Sequence, residues 1–121
     1  MSKKILIVDD DVDIRIGLSA RLRAHGYTTV FAEDGFSATS IARRESPDLI
    51  LLDLGLPAGD GFVVLERLRT NTLLAAIPVI VISARDAESN EKRALEAGAT
   101  AYFQKPVANE ALLAAVEQSA L

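Results

Sequence analysis

Residues 47–61 read Pro47-Asp48-Leu49-Ile50-Leu51-Leu52-Asp53-Leu54-Gly55-Leu56-Pro57-Ala58-Gly59-Asp60-Gly61, so that one carboxylate, Asp53, directly follows an unbroken apolar run. The run is short and lies between a proline and a segment rich in glycine and proline, which is typical of a central parallel strand covered on both faces. The glycines that follow cannot continue a strand, and they leave room for backbone groups to approach a ligand. Open parallel sheets bind ligands outside the carboxyl ends of their strands, so Asp53 is the first candidate site residue and is expected at the protein surface.

The composition is that of a soluble globular protein. The chain has 121 residues, half of them hydrophobic, with a formal net charge of -4, which predicts one domain over residues 1–121 and gives no basic footprint for nucleic acid. The absence of cysteine excludes disulfides, thiolate catalysis and cysteine-based metal sites. No apolar stretch has the roughly 18 residues of a membrane span, and no signal-peptide pattern follows Lys3-Lys4, so we expect a cytoplasmic location and no membrane contact.

The rest of the chain alternates short apolar runs with segments of helical periodicity. Strands are predicted at residues 5–8, 27–31, 49–52, 79–82 and 101–104. Helices are predicted from the caps Asp11 and Asp34, after Gly61, from the cap Asp86, and along Leu112, Ala115, Val116 and Ser119. Five strands that alternate with five helices predict an α/β fold with a single doubly wound parallel sheet and helices on both faces.

Acidic residues follow two of these strands. Asp9 and Asp10 end the first strand, and Asp53 ends the third. If the two strands are neighbours, the three carboxylates meet in one depression, where they would repel one another and raise each other's pKa. A hard divalent cation would neutralise them, and Mg²⁺ is the natural candidate because it is typically held by one or two carboxylates together with phosphoryl oxygens. The cluster therefore implies a phosphate-bearing partner.

Two further strand ends carry complementary groups. Ser83 follows the fourth strand with a hydroxyl, and Lys105 follows the fifth with an ammonium group. Around an attacking Asp53 carboxylate, these donors and a metal would stabilise the charge on a transferring phosphoryl group. The chain has one histidine, no cysteine and no glycine-rich phosphate loop after the first strand. Triad hydrolysis, dinucleotide binding and P-loop chemistry are therefore excluded.

Four segments together resemble the receiver domain of two-component response regulators, in order and in spacing. They are ILIVDDD at 5–11, LLDLGLP at 51–57 with Gly59-Asp60-Gly61, VIVISA at 79–84 and AGATAYFQKP at 97–106. Each segment alone is weak, whereas the set covers almost the whole chain and is highly specific. The resemblance implies a flavodoxin-like sheet of strand order 2-1-3-4-5, which is the strand order of the chemotaxis member of this family.

The resemblance also implies roles for the acids. Asp53 matches the residue that takes a phosphoryl group from a phosphohistidine of a sensor histidine kinase or a phosphotransfer protein. Asp10 and Asp53 would ligate Mg²⁺, Asp9 would act mainly through a bound water, and Gly55 would contribute its backbone carbonyl.

The remaining matched positions concern the response to phosphorylation. Ser83 matches the switch hydroxyl, Lys105 matches the lysine that pairs with the phosphoryl group, and Tyr102 matches the aromatic residue that changes position on activation. The resemblance implies a shift of the face formed by the fourth helix, the fifth strand and the last helix, and a cis Lys105-Pro106 bond. One departure is Ala108, which stands where relatives often have a capping residue and leaves Asn109 as the candidate cap of the last helix.

Less specific interpretations remain open for the single motifs. The acids at 9–11 could form a solvated turn, Asp53 and Ser83 could be caps, Lys105 could be a surface lysine, and Tyr102 a core residue. Two other functions are alternatives for the set taken as a whole. An aspartyl-phosphate phosphatase of the haloacid dehalogenase kind needs a second aspartate two places after the nucleophile, where this chain has Gly55. A degenerate receiver-like module would lack some site residues, and none is missing. We therefore expect a signalling switch and not an enzyme that turns over an external substrate, with an unidentified output domain or target protein.

Overall fold

The structure is a computed structural model, and it describes residues 2–56 and 61–120. Strands and helices alternate along the described chain. The strands are β1 (Lys4–Val8), β2 (Thr28–Ala32), β3 (Leu49–Leu52), β4 (Val79–Ser83) and β5 (Ala101–Gln104). The helices are α1 (Val12–Ala24), α2 (Gly35–Glu45), α3 (Gly61–Thr70), α4 (Ala87–Glu96) and α5 (Asn109–Ser119).

The strands form one parallel sheet in the order β2-β1-β3-β4-β5, as the resemblance implies. The order reverses at β1, which has β2 on one side and β3 on the other. In the β1–β3 pair, Val8 lies opposite Leu52, so the residues that follow these two strands come side by side. An open parallel sheet places its ligand crevice at such a reversal.

Alternate residues of the strands pack on opposite faces of the sheet. One hydrophobic cluster combines residues of β1, β3 and β4 with α1 and α5, among them Ile7, Leu51 and Leu112. The other combines their strand neighbours with α2, α3 and α4, among them Val8, Leu52 and Leu65. The central strands β1, β3 and β4 are mostly apolar and buried because both of their faces are covered, whereas the edge strands β2 and β5 are partly exposed. The two layers give the strand ends at the crevice a rigid support.

The helix ends follow the predicted capping chemistry at three places. The side chain of Asp11 accepts hydrogen bonds from the amides of Asp13 and Ile14 at 2.9 and 3.2 Å. Asp34 accepts from the Ser37 amide at 2.7 Å, and Asp86 accepts from the Glu88 amide at 3.4 Å. These bonds satisfy amides that have no partner within the helix.

Several predicted boundaries differ from the structure by one residue. The first strand begins at Lys4 and not at Ile5, and the fourth ends at Ser83 and not at Ile82. The second strand runs one residue later than predicted, from Thr28 to Ala32. The prediction that Asn109 caps the last helix is wrong: Asn109 is the first helical residue, and the cap position is Ala108, which makes no side-chain cap hydrogen bond. A capping side chain must belong to the residue just outside the helix, and Ala108 has no acceptor there. The Lys105–Pro106 bond is cis, as the resemblance implies.

Within residues 2–56 and 61–120, the structure has no helix with the length and apolar character that a membrane crossing would require.

Candidate functional site

The site is built on the neighbouring ends of β1 and β3. The amide of Asp53 donates to the carbonyl of Val8 at 2.9 Å and so continues the strand pairing by one residue. Asp9, Asp10 and Asp53 each place one carboxylate oxygen within 4.8 Å of the other two. The predicted meeting of the three acids is confirmed.

Asp9 is the most constrained of the three acids. It is 3% exposed, and its Oδ1 accepts the amide hydrogen of Asp11 at 2.9 Å. Its Oδ2 lies 2.8 Å from the ammonium nitrogen of Lys105. Both oxygens of Asp9 are therefore engaged, whereas the side chain of Asp10 is exposed to solvent.

Asp53 lies deeper than its sequence position predicts. It is 8% exposed, so the expectation of a surface carboxylate is wrong in degree, because the ends of neighbouring strands and Lys105 surround it. Its Oδ1 accepts the amide hydrogen of Gly55 at 3.1 Å, and its Oδ2 lies 3.7 Å from Lys105 Nζ. Burial raises the pKa of Asp53; the Gly55 amide and Lys105 counteract part of this rise, and Asp9 and Asp10 add to it.

The backbone after Asp53 approaches the start of α3 closely. The amide of Gly61 donates to the carbonyl of Leu54 at 3.0 Å. A Cβ atom on Gly61 would lie 2.4 Å from the Cα of Leu54 and 2.8 Å from the carbonyl oxygen of Asp53. Only glycine fits this position without a shift of the backbone that carries Asp53. Pro57, Gly59 and Asp60, which carry part of the resemblance, lie outside the described residues.

Ser83 and Tyr102 are joined through the backbone of one residue, Arg85. Ser83 is fully buried, and its Oγ accepts the amide hydrogen of Arg85 at 3.1 Å. The hydroxyl of Tyr102 donates to the carbonyl of Arg85 at 2.6 Å. Burial raises the pKa of Tyr102. The two residues that the resemblance assigns to switching, Ser83 and Tyr102, therefore both bind the backbone of Arg85, just before α4.

The sequence did not single out two of the contacts around this site. Nη1 of Arg15 donates to the carbonyl of Asp9 at 3.2 Å, and the Arg85 backbone connects Ser83 with Tyr102. Arg15 follows Asp9 by six residues and lies in the first turns of α1, so helical spacing could have placed it above the strand end. The Arg85 contact uses backbone groups, for which the residue type gives no signal.

The arrangement fits a hard cation and an anionic ligand. Three carboxylates from two strand ends form an oxygen-rich cluster of the kind that binds Mg²⁺ or Ca²⁺. One ammonium group, that of Lys105, adjoins two of the acids. Asp53 has one oxygen that accepts only a backbone hydrogen bond and one that faces the lysine at a longer distance. Such a carboxylate can act as a nucleophile while its neighbours hold a cation.

Comparison with known proteins agrees with this geometry. The family model for the response regulator receiver domain matches residues 5–117. Response regulator PleD of Caulobacter vibrioides is 39% identical over 117 residues, which are 96% of this chain and 26% of PleD. Protein PilH of Pseudomonas aeruginosa is 37% identical over 110 residues, which are 91% of each chain.

A solved structure is similar over the same range. The receiver domain of sensor histidine kinase PA1611 from Pseudomonas aeruginosa, with a magnesium ion coordinated in its active site cleft, matches with a TM-score of 0.89 at 28% identity and covers 99% of this chain and 98% of that one. The present chain spans about a quarter of PleD and nearly all of PilH. It belongs to the receiver-domain family of two-component response regulators, whose members act in phosphorylation-dependent signalling.

Proposed function

We propose that the chain is one receiver domain over residues 1–121 and that Asp53 accepts a phosphoryl group from a phosphohistidine of a sensor histidine kinase or phosphotransfer protein. The observation that supports this most directly is the cluster of three carboxylate oxygens within 4.8 Å of one another, with Lys105 Nζ at 3.7 Å from Asp53. Asp53 directly follows β3, the middle strand of the sheet.

The transfer is a displacement at phosphorus. A carboxylate oxygen of Asp53 forms the new P–O bond, the P–N bond of the phosphohistidine breaks, and the electron pair returns to the imidazole nitrogen. Asp53 must be ionised to attack, although burial raises its pKa. Lys105 favours the ionised form and can pair with the oxygens of the arriving phosphoryl group. Lys105 therefore stabilises the ionised Asp53 carboxylate before the transfer and the phosphoryl group after it.

The acids fit Mg²⁺. Asp9, Asp10 and Asp53 would hold it together with the backbone carbonyl of Gly55, with Asp9 acting mainly through water, since both of its oxygens already have partners. When bound, the ion would neutralise the cluster and the charge on the phosphoryl oxygens. The magnesium ion in the cleft of the similar PA1611 receiver domain supports this choice of metal.

The readout would pass through the backbone of Arg85. A phosphoryl group on Asp53 adds about two negative charges and three acceptor oxygens, and the Ser83 hydroxyl is the neutral donor that could turn toward them. Such a turn weakens the contact of Ser83 with the amide of Arg85, the residue whose carbonyl accepts from Tyr102. The Gln104 side chain also accepts the Ala87 amide at 3.1 Å, so β5 is bonded to the start of α4. The face formed by α4, β5 and α5 is therefore where we place the response.

Phosphorylation would be followed by slow self-dephosphorylation and not by turnover of an external substrate. A phosphatase of the haloacid dehalogenase kind needs a general acid two places after the nucleophile, and Gly55 cannot supply one. The site residues that a degenerate receiver would lack are all present.

Incubation with Mg²⁺ and acetyl phosphate, followed by intact-mass measurement over time, separates these functions. The proposal predicts one phosphoryl group that decays slowly and is absent from Asp53→Asn. Rapid hydrolysis of acetyl phosphate without accumulation would indicate a phosphatase. No phosphorylation in the presence of Mg²⁺ would indicate a degenerate module.

A further inference from the structure

We propose that Arg15 is a positioning residue for the metal-binding acids, because it fixes the peptide that joins Asp9 to Asp10. This inference rests on the proposed function, in which these acids hold Mg²⁺. It concerns a residue of α1 whose side chain donates to the backbone carbonyl of Asp9 and not to a carboxylate of the cluster.

Both backbone polar groups of Asp9 are hydrogen-bonded. Its amide, in the peptide that follows Val8, donates to the carbonyl of Ala32, at the end of β2, at 3.1 Å. Its carbonyl, in the peptide between Asp9 and Asp10, accepts from Nη1 of Arg15 at 3.2 Å. The carbonyl oxygen belongs to the same rigid peptide plane as the amide of Asp10. A tilt of this plane would therefore redirect the Asp10 side chain.

Asp10 depends on its backbone more than the other two acids do. Asp9 is held by the Asp11 amide and Lys105, and Asp53 by the Gly55 amide. No hydrogen bond or ion pair of the Asp10 side chain occurs in the part of the chain that the structure describes. The direction of its carboxylate in the metal-free protein is set by the peptide that Arg15 holds.

Arg15 is itself held in place. Its guanidinium carbon lies 5.8 Å from the ring centroid of Phe31, at the end of β2, within the range of a cation–π contact. Among residues 2–56 and 61–120, no carboxylate oxygen lies within 4.0 Å of its guanidinium nitrogens. The contacts that fix Arg15 are thus a backbone carbonyl and an aromatic face, which suit a planar guanidinium better than an ammonium group.

A positioning role and a purely electrostatic role of Arg15 predict opposite effects of its removal on Mg²⁺ affinity. If Arg15 acted only as a nearby positive charge, its removal would tighten Mg²⁺ binding, because a cation repels a cation. If Arg15 orients Asp10, its removal weakens binding although the local charge becomes more favourable. Residues that hydrogen-bond to and orient metal ligands are typically worth about 10–100-fold in metal affinity. Since the charge effect opposes the loss, we expect the lower end of that range.

The experiment measures the Mg²⁺ dissociation constant by amide NMR titration for the parent, Arg15→Gln, Arg15→Lys and Arg21→Gln. Arg21→Gln is the matched control, because it removes the same charge from the same helix. We expect Arg15→Gln to bind Mg²⁺ about 10-fold more weakly, Arg15→Lys to regain only part of the loss, and Arg21→Gln to stay close to the parent. In the metal-free spectra, the Asp10 and Asp11 amides should shift in Arg15→Gln and not in Arg21→Gln.

Unchanged or tighter Mg²⁺ binding by Arg15→Gln would overturn the inference, as would unshifted Asp10 and Asp11 amides. If Arg15→Gln fails to fold, Phe31→Leu replaces it, because this change keeps the arginine and removes the ring beneath it. We expect a smaller loss of Mg²⁺ affinity in Phe31→Leu, and parent-like binding would overturn the inference. If the parent itself binds no Mg²⁺, the metal site of the proposed function is wrong. The amide shifts of the metal-free proteins still test whether Arg15 fixes the backbone at Asp10.

Discussion

Replacement of Lys105 by methionine removes the one ammonium group that adjoins the acid cluster in the described structure and keeps most of the aliphatic stem. The change leaves Asp9, which is 3% exposed, without the cation that lies 2.8 Å from its Oδ2. It also removes the charge at 3.7 Å from Asp53. We expect the metal-free domain to lose stability, because three neighbouring carboxylates would then repel one another without compensation.

The magnitude follows from burial. Breaking a buried ion pair by removal of one partner costs about 3–5 kcal/mol, whereas exposed pairs contribute at most about 1 kcal/mol. The Lys105 side chain is 18% exposed, and Asp10 opens the cluster to solvent, so the lower end of the buried range applies, about 3 kcal/mol. With an unfolding entropy of about 0.25 kcal/mol/K for a domain of this length, the Tm falls by about 12 °C.

The assay is thermal unfolding followed by circular dichroism at neutral pH with a chelator present, for the parent, Lys105→Met and Lys92→Met. Lys92 is the matched control, since its side chain is 89% exposed and its ion pair with Glu96 spans 4.0 Å on the surface of α4. Lys92→Met should change the free energy of unfolding by at most about 0.5 kcal/mol. Excess Mg²⁺ should restore Lys105→Met toward the parent, because the ion neutralises the same acids.

If Lys105→Met melts within a few degrees of Lys92→Met, the ion pair contributes little and the proposed electrostatics of the site are wrong. If Mg²⁺ stabilises Lys105→Met no more than it stabilises the parent, the metal and the lysine do not share the acids.

Three further variants test the roles of the individual residues. Asp10→Ala should abolish Mg²⁺ binding in calorimetric titration while the metal-free Tm holds or rises, because one repelling charge is gone; a fall in Tm would contradict this. Without metal, Asp53→Asn should be more stable than the parent, because the buried carboxylate of Asp53 is disfavoured when ionised. The difference in the free energy of unfolding should grow as the pH rises through the raised pKa of Asp53 and then level off. If urea unfolding at several pH values gives a constant difference, ionisation of Asp53 is not the cause. Ser83→Ala should still accept phosphate but leave the NMR signals of Tyr102 and α4 unmoved, whereas parent-like shifts would exclude Ser83 from the readout.

The strands and the acid cluster could be predicted because their signals are local. Leu49–Leu52 is apolar on both faces and is followed by glycines, so the strand and the polar residue after it are encoded in a few neighbouring positions. The meeting of Asp9 with Asp53 needed only that β1 and β3 be neighbours. Periodicity cannot supply the order of the five strands, and here the order came from the family resemblance.

Other features depend on contacts between distant residues. The burial of Asp53 results from the ends of several strands and from Lys105, 52 positions away, so its local sequence suggested a more exposed carboxylate. The link from Ser83 to Tyr102 uses the backbone of Arg85, which has the same groups in any residue. Asn109 is a good capping residue by type, but the helix begins one position too early for its side chain to cap it.

The most direct test of the proposed function is to locate the phosphoryl group. The parent and Asp53→Asn are incubated with acetyl phosphate, with Mg²⁺ or with a chelator, and then reduced with borohydride, which converts an aspartyl phosphate to homoserine. Peptide mass spectrometry should find homoserine at position 53 in the parent, only with Mg²⁺, and nowhere in Asp53→Asn. Modification at another residue, or equal modification of both proteins, would contradict the assignment of Asp53 as the phosphoryl acceptor.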